Sequence, residues 1–293
     1  MKTRGMLAVA ALAVLLVAAA AQAQGVVLRY KYTQGAVDKY VMKGAFNGQV
    51  SGGQEAAMPL SVAIDGSMTV KTSAVTAAGV ASQATTMDHM NVSSSAMGME
   101  TQMTIEGGKT TMLVNGQPME MPQGMPGMDF LGKPIKAKID TRGRVVSMDA
   151  GGLNEMFGGF DPSTLSQMSV AFPEGAVTPG QSWSNATKVP IKVMGQQMEL
   201  ALNFTYTFVG MEKYKGIDVA RIGIKGTSVM RGTAANAPLQ SMKQTFSGYD
   251  YFDTATGRSL YTKIRMEQTM SGAGAPNQPM NMSMVGDMEI TRQ

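Results

Sequence analysis

The sequence predicts an all-β fold in which long antiparallel strands follow one another in meander or hairpin order and form a curled sheet or half-open barrel. Three observations predict this class. Apolar and polar residues alternate with period two along most of the chain. Glycine-containing turn signals separate the alternating runs. Several runs reach about 12 residues, beyond the usual five or six of a strand, and long one-sided strands favour a sheet that curls.

Four runs show the alternation most clearly. They cover residues 58–70, 197–208, 260–270 and 280–290. In each run, apolar side chains, many of them methionine, occupy every second position, and mostly polar or charged residues lie between them. Because successive side chains of a strand point to opposite faces, each run predicts one apolar face and one polar face.

Turn signals punctuate the runs. They are Gly107-Gly108, Asn115-Gly116, Gly195-Gln196 and the segments 141–143 and 256–258. Two-residue glycine turns of this kind join antiparallel neighbours, which predicts hairpin succession. The alternation loses phase around residues 219–222 and 246–249, which predicts β-bulges there.

One segment has helical character. Asp161 suits the N-cap of a helix and Pro162 suits its first turn. The sequence therefore predicts one short inserted helix near residues 162–171. The chain from 24–293 is expected to form a single β-rich domain or two packed halves divided near residues 150–175.

The first residues have the features of a secretory signal peptide. Lys2 and Arg4 form a basic start, residues 6–20 are apolar, and residues 21–23 form a small-x-small cleavage site. The apolar run is shorter than the roughly 20 residues of a membrane-spanning helix. We expect a signal peptide at 1–23 and no transmembrane span after cleavage. The signal peptide predicts an exported periplasmic or extracellular protein. Because cysteine is absent, this protein is not expected to be a lipoprotein.

Composition and charge argue against nucleic acid as a partner. Of 293 residues, 44% are hydrophobic and 16% are charged, which is ordinary for a globular protein. Cleavage removes two of 25 basic residues, so the mature chain has a net charge of +2 against its 21 acidic residues. No basic block is present, and nucleic acid is therefore not an expected partner.

Four segments together resemble a known family. They are residues 28–32, 135–145, 172–183 and 251–258, which contain a "Pro…Val-x-x-Gly-x-x-Trp" strand entry and an "Asp-x-x-Thr-Gly-Arg" hairpin. The chain resembles a family of exported bacterial β-rich proteins of unknown function. The resemblance implies an export signal and a β-rich domain, and it brings no catalytic residues. The strands with one inserted helix also look, more loosely, like the half-barrel lipoprotein carriers of the periplasm.

Catalytic patterns are not found in the sequence. His89 is the only histidine, cysteine is absent, and no Gly-x-Ser-x-Gly elbow is present. We therefore assign no catalytic residue, expect no cofactor and predict that the protein is not an enzyme. His89 is interpreted as a strand residue at the sheet surface.

Methionine is the unusual residue of this chain, with 29 copies. Thioether sulfur is a soft ligand for Cu(I) and also a flexible apolar filler. Because methionine is scattered over many inward positions, the filler interpretation is favoured and no metal site is assigned. The alternative Cu(I) or Ag(I) site would use Met97, Met99, Met119, Met121, Met125, Met128 and His89.

These patterns lead to a function hypothesis. The protein is expected to bind a lipid or other hydrophobic small molecule on an apolar, methionine-rich concave face. The candidate lining residues are Met68, Met198, Leu200, Leu202, Phe204, Ile264, Met266, Met282 and Met284. The alternatives are Cu(I) or Ag(I) binding and a structural or interaction module of the cell envelope.

Overall fold

The computed structural model describes most of the chain after the predicted signal peptide. The described residues are 25–52, 57–96, 98–107, 109–119, 133–149, 171–193, 196–232, 239–273 and 279–293. The predicted signal peptide lies outside them, and so does the predicted helix apart from residue 171. The predicted division near 150–175 also lies largely outside, and the choice between one domain and two halves stays a prediction.

The described residues form fourteen strands and no helix, which confirms the all-β prediction. The strands are β1 (Val37–Gly52), β2 (Met58–Val75), β3 (Ala81–Ala96), β4 (Met99–Glu106), β5 (Lys109–Val114), β6 (Gln117–Pro118), β7 (Ile135–Ile139), β8 (Val145–Asp149), β9 (Ser182–Val193), β10 (Gln196–Tyr214), β11 (Ile217–Gly232), β12 (Leu239–Asp253), β13 (Arg258–Ala273) and β14 (Pro279–Arg292).

All fourteen strands belong to one antiparallel sheet. Its order from edge to edge is β6-β5-β4-β3-β2-β1-β14-β13-β12-β11-β10-β9. The hairpin β7–β8 pairs with the first residues of β3, beside the segment that pairs with β4. Among the described strands, β6 and β9 do not pair with each other, so the curled sheet is open and does not close into a barrel.

The two ends of the strand succession meet in the middle of this sheet. Strand β1 pairs with β14 along almost its whole length, from Tyr40 opposite Arg292 to Gly52 opposite Met280. The other neighbours are mostly consecutive in the chain and are joined as hairpins. Strands β1–β8, which come first in the chain, and strands β9–β14 are thereby joined into one continuous sheet.

Paired positions share one side of the sheet, because side chains alternate along each strand. One row of paired positions crosses from β9 to β5. It contains Trp183, Tyr206, Ile224, Gly248, Ile264, Met288, Gly44, Ile64, Val92, Met103 and Met112. We call this side of the sheet, with the residues in phase with that row, the inner face. The opposite side is the outer face, where Lys263 contacts Glu289 at 3.0 Å and Arg265 contacts Asp287 at 3.8 Å.

Glycines on the inner face let neighbouring strands approach closely. A Cβ atom added at Gly48, Gly248 or Gly286 would collide with a backbone carbonyl oxygen of the next strand. At Gly226 it would collide with the ring of Phe204, which lies over this glycine. Small residues and covering aromatic rings on one face are typical of strands that bend toward that face. Glycines of this kind let strands bend, and they therefore account for curvature in this open sheet.

The two predicted bulges are close to observed register shifts but are assigned to the wrong residues. The pairing of β11 with β12 is regular from Ala220 to Arg231, so it contains no bulge at 219–222 or 246–249. The register instead shifts between Phe208 and Gly210 on β10, which pairs with that part of β11, and between Tyr251 and Phe252 against β13. On β11 the adjacent residues Val219 and Ala220 are both fully buried, and this burial on both faces, not a bulge in β11, explains the loss of alternation there.

Two short segments cover one end of the inner face. We call residues 25–36 and 171–181 the plug. Val26 and Val177 exchange backbone hydrogen bonds of 2.8 and 2.9 Å, and the Tyr30 N–H donates to the Thr141 carbonyl at 2.7 Å. The plug and the strands share a buried core. Its members are Leu28, Phe172, Val177, Phe208, Ala220, Ile222 and Phe252.

An ion cluster fixes the plug to the junction of β1 and β14. The Asp38 side chain is only 6% exposed and accepts hydrogen bonds from Arg258 Nε at 3.0 Å and from Arg292 Nη2 at 2.7 Å. Arg258 Nη1 also donates to the Lys31 carbonyl of the plug. Because both arginines are satisfied by one buried carboxylate, this end of the sheet is held by three parts of the chain.

Candidate functional site

The strand register places all nine predicted lining residues on the inner face. Met198 and Leu200 are buried, at 2% and 8% exposure, and they pack with Val189 and Met230. The others are partly buried. They are Met68, Leu202, Phe204, Ile264, Met266, Met282 and Met284. Their role in binding a ligand stays a prediction.

Four methionines form a ladder across the inner face. Met230, Met242, Met270 and Met282 occupy directly paired positions on the adjacent strands β11, β12, β13 and β14. Side chains at paired positions have Cβ atoms about 4.5–5.5 Å apart, so neighbouring thioether chains are in reach of one another. This ladder joins residues that lie far apart in the sequence and whose grouping the spacing does not reveal.

The polar side chains beside the ladder satisfy one another. The Gln244 amide donates to Gln268 Oε1 at 2.8 Å across β12 and β13, and its nitrogen lies 3.7 Å from the Met266 sulfur. A buried amide without a partner would oppose the binding of apolar groups. The paired glutamines therefore leave this part of the inner face suited to apolar ligands.

A cavity of about 410 Å³ lies where the inner face meets the plug. We call it the aromatic cavity. Its walls contain five aromatic rings, four aliphatic or hydroxyl side chains of the strands and one carboxylate. The lining residues are Tyr30, Phe172, Trp183, Phe204, Tyr206, Ile222, Ile224, Asp250, Ser259 and Thr262.

Stacking holds the rings of the aromatic cavity in place. Trp183 stacks on Tyr206 with ring centroids 5.9 Å apart, and it packs edge-to-face with Phe172 with ring centroids 6.3 Å apart. Tyr30 of the plug stacks on Phe172 at 5.0 Å. Aromatic rings at these separations attract each other, and this attraction adds to the stabilisation from burying their surface. The plug therefore contributes two walls and fixes the third, the indole of Trp183.

Asp250 is the charged group of the aromatic cavity. It accepts hydrogen bonds from the hydroxyls of Thr262, at 2.7 Å, and Ser259, at 3.1 Å. Desolvation raises the pKa of Asp250 from 3.8 to about 6, and the two hydroxyl donors only partly oppose the rise. Desolvation followed by the charge of Asp250 raises the pKa of Tyr206 to about 12. The carboxylate therefore lies in an apolar environment with neutral partners.

Trp183 presents a second unusual group. Within the part of the chain that the structure describes, its indole Nε1 is the buried side-chain polar atom that has no hydrogen-bond partner. An unpaired buried donor costs about 1–3 kcal/mol. A ligand oxygen that accepted this hydrogen bond would recover part of that cost.

A second cavity lies on the other side of Tyr30. It has a volume of about 360 Å³, and Tyr30, Ser259 and Thr262 line both cavities. Its remaining walls include Met68 of β2 and the buried Asp38 of the ion cluster. Met68 is the predicted lining residue that borders this second cavity. The Asp38 carboxylate differs from that of Asp250 because two arginines neutralise it.

The residues of the predicted metal alternative are not brought together where they are described. His89 pairs with Ser67 and Glu106 on the outer face, whereas Met99 is on the inner face at the opposite end of β4. Met99 and Met119 are each 52% exposed. Met97, Met121, Met125 and Met128 lie outside the described residues. Among the described residues, no group of three or more His, Cys, Asp or Glu side chains could hold a metal ion.

Asp250 and Trp183 were not among the predicted site residues. Asp250 follows Gly248-Tyr249 in a segment whose alternation loses phase, so its face cannot be read from the pattern. Trp183 was visible only as the end of a strand-entry motif. A single tryptophan in a chain of 293 residues was the signal that could have marked it.

Comparisons with known proteins give faint structural likenesses only. No protein-family model and no curated protein matches the chain. A structure of lipovitellin that concerns lipid–protein interactions is 10% identical over 90% of this chain, with a TM-score of 0.43, and this chain spans only 25% of it. Pseudomonas aeruginosa OccK7 (OpdD) is 7% identical, with a TM-score of 0.23 over 88% of this chain and 99% of its own.

Pseudomonas aeruginosa OccK5 (OpdH) is 9% identical, with a TM-score of 0.20 over 88% of this chain and 98% of its own. At these TM-scores, the three likenesses carry no argument about what this chain does. Among its described residues, the structure contains no helix of the length and apolarity needed to cross a membrane.

Proposed function

We propose that this is an exported, non-enzymatic protein that binds a lipid or other long apolar molecule along its inner face. The single observation that carries the proposal is the partly buried apolar surface of the central strands. Ile264, Met266 and Met288 lie side by side there, on β13 and β14, and each retains exposure. A compact core would bury such side chains fully.

The chemistry of this surface suits a flexible apolar ligand. Methionine side chains are unbranched and polarisable, so they adapt to tails of different shape. Apolar surface that a ligand covers contributes about 25 cal/mol per Å² to the free energy of binding, before the entropic costs of binding are subtracted. Long strands give the surface length, since each residue adds about 3.3 Å along the strand.

Native mass spectrometry of the mature protein, purified from the cells that produce it, tests the proposal. We expect adducts with the mass of lipids or other long-chain molecules, which organic extraction removes. The stripped protein is then expected to bind a neutral long-chain ester in calorimetry. A clean protein mass together with no calorimetric binding of the ester would contradict the proposal.

Two neighbouring substitutions give a matched control. Met266→Gln places an amide on the inner face, whereas Glu267→Gln changes the exposed outer face at the next residue. We expect Met266→Gln to weaken binding of the ester about tenfold, because the ligand would have to desolvate the new amide. Glu267→Gln is expected to leave binding unchanged. Equal effects of the two substitutions would place the ligand elsewhere.

The methionine ladder supports Cu(I) or Ag(I) binding as a second candidate function. Thioether sulfur prefers these soft ions, and the ladder brings together four such side chains on adjacent strands. Competition for Cu(I) with a chelator of known affinity tests it. Changing Met242 and Met270 to Leu is expected to abolish binding, whereas Met211→Leu, at a 46% exposed position, is expected to preserve it. Unaltered binding in the double variant would remove this candidate.

A further inference from the structure

We propose that the aromatic cavity binds the ammonium head group of an amine-bearing amphiphile whose tail lies along the inner face. This inference rests on the proposed function, because it names the polar end of the same ligand. Three features of the cavity carry it: a carboxylate without a cationic partner, a surrounding wall of aromatic ring faces, and a buried indole N–H without an acceptor.

The carboxylate of Asp250 lacks a positive partner inside the cavity. None of the described lining residues is Lys, Arg or His, and the hydrogen bonds to Asp250 come from the neutral hydroxyls of Ser259 and Thr262. Arg258, which precedes Ser259, is committed to Asp38 at 3.0 Å. A partly buried carboxylate in this setting is stabilised in its charged form when a cation enters.

The aromatic rings favour the same kind of guest. The face of an aromatic ring carries partial negative charge, and cages of Trp, Tyr and Phe are the usual sites for quaternary ammonium groups. Here Tyr30, Trp183 and Tyr206 line the cavity together with two phenylalanines. Their mutual stacking fixes the cage before a ligand arrives, so little ordering is needed on binding.

The unpaired indole N–H narrows the class of head group. Trp183 Nε1 is a buried hydrogen-bond donor and cannot accept, so an acceptor atom on the ligand would satisfy it. An ammonium group with an oxygen a few bonds away, as in esters of choline or ethanolamine, supplies both the cation for Asp250 and the acceptor for Trp183. A bare alkylammonium supplies only the first.

The cavity is continuous with the surface proposed for the tail. Phe204 and Ile224 line the cavity and also belong to the inner face. From Phe204, the row of paired positions continues through Gly226 and Phe246 to Met266. A head group in the cavity therefore has an apolar path for its chain across β11, β12 and β13.

Two isosteric esters test the inference. Decanoylcholine carries the cation, and 3,3-dimethylbutyl decanoate replaces its nitrogen by carbon and is neutral. Trp183 is the only tryptophan of the chain, so its fluorescence reports directly on occupation of the cavity. The wild-type mature protein is expected to bind decanoylcholine about tenfold or more tighter than the neutral ester. Choline alone is expected to bind at least tenfold more weakly than decanoylcholine.

Asp250→Asn provides the decisive variant, because it removes the charge and keeps the shape. We expect it to abolish the preference for decanoylcholine over the neutral ester, while Glu267→Gln on the outer face preserves it. In calorimetry, Trp183→Phe is expected to weaken the binding of decanoylcholine more than the binding of decyltrimethylammonium, because decyltrimethylammonium lacks the acceptor oxygen and loses only the contact with the indole face.

The outcomes separate this inference from the proposed function. If the neutral ester binds but the cation confers no preference, or if the preference survives in Asp250→Asn, the ammonium site is refuted and the apolar surface stands. If choline binds as tightly as decanoylcholine, the cavity takes a free cation and the amphiphile is refuted. If neither ester binds, both proposals fail.

Discussion

Replacing Asp250 by asparagine is expected to stabilise the ligand-free protein at neutral and alkaline pH. Asparagine has nearly the same shape and retains a carbonyl oxygen that can accept the hydrogen bond from Thr262, which is 2.7 Å long in the wild type. It cannot ionise. The substitution therefore removes the cost of holding a charged carboxylate in the aromatic cavity, which in the wild type lacks a compensating cation among its described lining residues.

The magnitude follows from the pKa of Asp250, which desolvation raises from 3.8 to about 6. The folded state therefore holds the proton more tightly than the unfolded state. The protonated carboxyl group of Asp250 therefore contributes stability that is fully present below about pH 4 and is lost as the pH rises through about 6. The two pKa values correspond to a loss of about 3 kcal/mol, or a midpoint of thermal unfolding lower by roughly 6–12 °C.

The assay is thermal and urea unfolding of wild type and Asp250→Asn between pH 4 and pH 8, followed by the fluorescence of Trp183. The stability of the variant relative to wild type is expected to rise by about 3 kcal/mol across this range. Other groups titrate equally in both proteins, so the difference isolates Asp250. Glu267→Gln, on the outer face, serves as the control with a constant difference. A difference for Asp250→Asn that does not vary with pH would refute the reasoning.

Three further substitutions test the fold that positions the site. Asp38→Ala leaves Arg258 buried and unpaired and is expected to cost about 3–5 kcal/mol in urea unfolding; a cost below 1 kcal/mol would mean that the ion cluster is not structural. Gly286→Ala forces a Cβ atom into the backbone of β1 and is expected to lower the free energy of unfolding by about 1–3 kcal/mol or more. The control Gly52→Ala places its Cβ in open space and is expected to change stability little. Similar losses of stability in the two variants would contradict the close approach of the strands. The pKa of Asp253 is lowered from 3.8: desolvation opposes the shift, but hydrogen bonds from Thr256 and Ala255 outweigh it. The loss of stability in Asp253→Ala, about 1–3 kcal/mol at pH 7, is therefore expected to shrink as the pH falls below 3.8. A loss that grows on acidification would refute this sign.

The sequence predicted the strands well because their faces differ so strongly in polarity. Runs such as 260–270 lie within real strands, here β13, and the predicted lining residues do share one face. Turn chemistry was equally direct at Asn115-Gly116, where both residues have positive φ as a two-residue hairpin requires. Local pattern suffices for these features because each is decided by the chain's own alternation.

Features decided by pairing between distant strands were not predictable. The methionine ladder depends on the register of four strands, and the cavity depends on a plug that lies far from Asp250 in the sequence. The register shift in the pairing of β2 with β3, between Ser67 and Met68, was likewise not predicted from the sequence. A bulge leaves only a weak mark in the sequence of the strand that it affects.

The pairing of β1 with β14 has a consequence for how the protein forms. Most neighbouring strands can pair as soon as the hairpin between them has formed. The pairing of β1 with β14 instead joins Tyr40 to Arg292 and requires almost the entire polypeptide. Contacts of such long range close late and slow folding. Until this pairing forms, β1 and β14 each have an edge of unpaired backbone N–H and C=O groups, which makes the partly folded chain prone to pairing with the strands of other molecules.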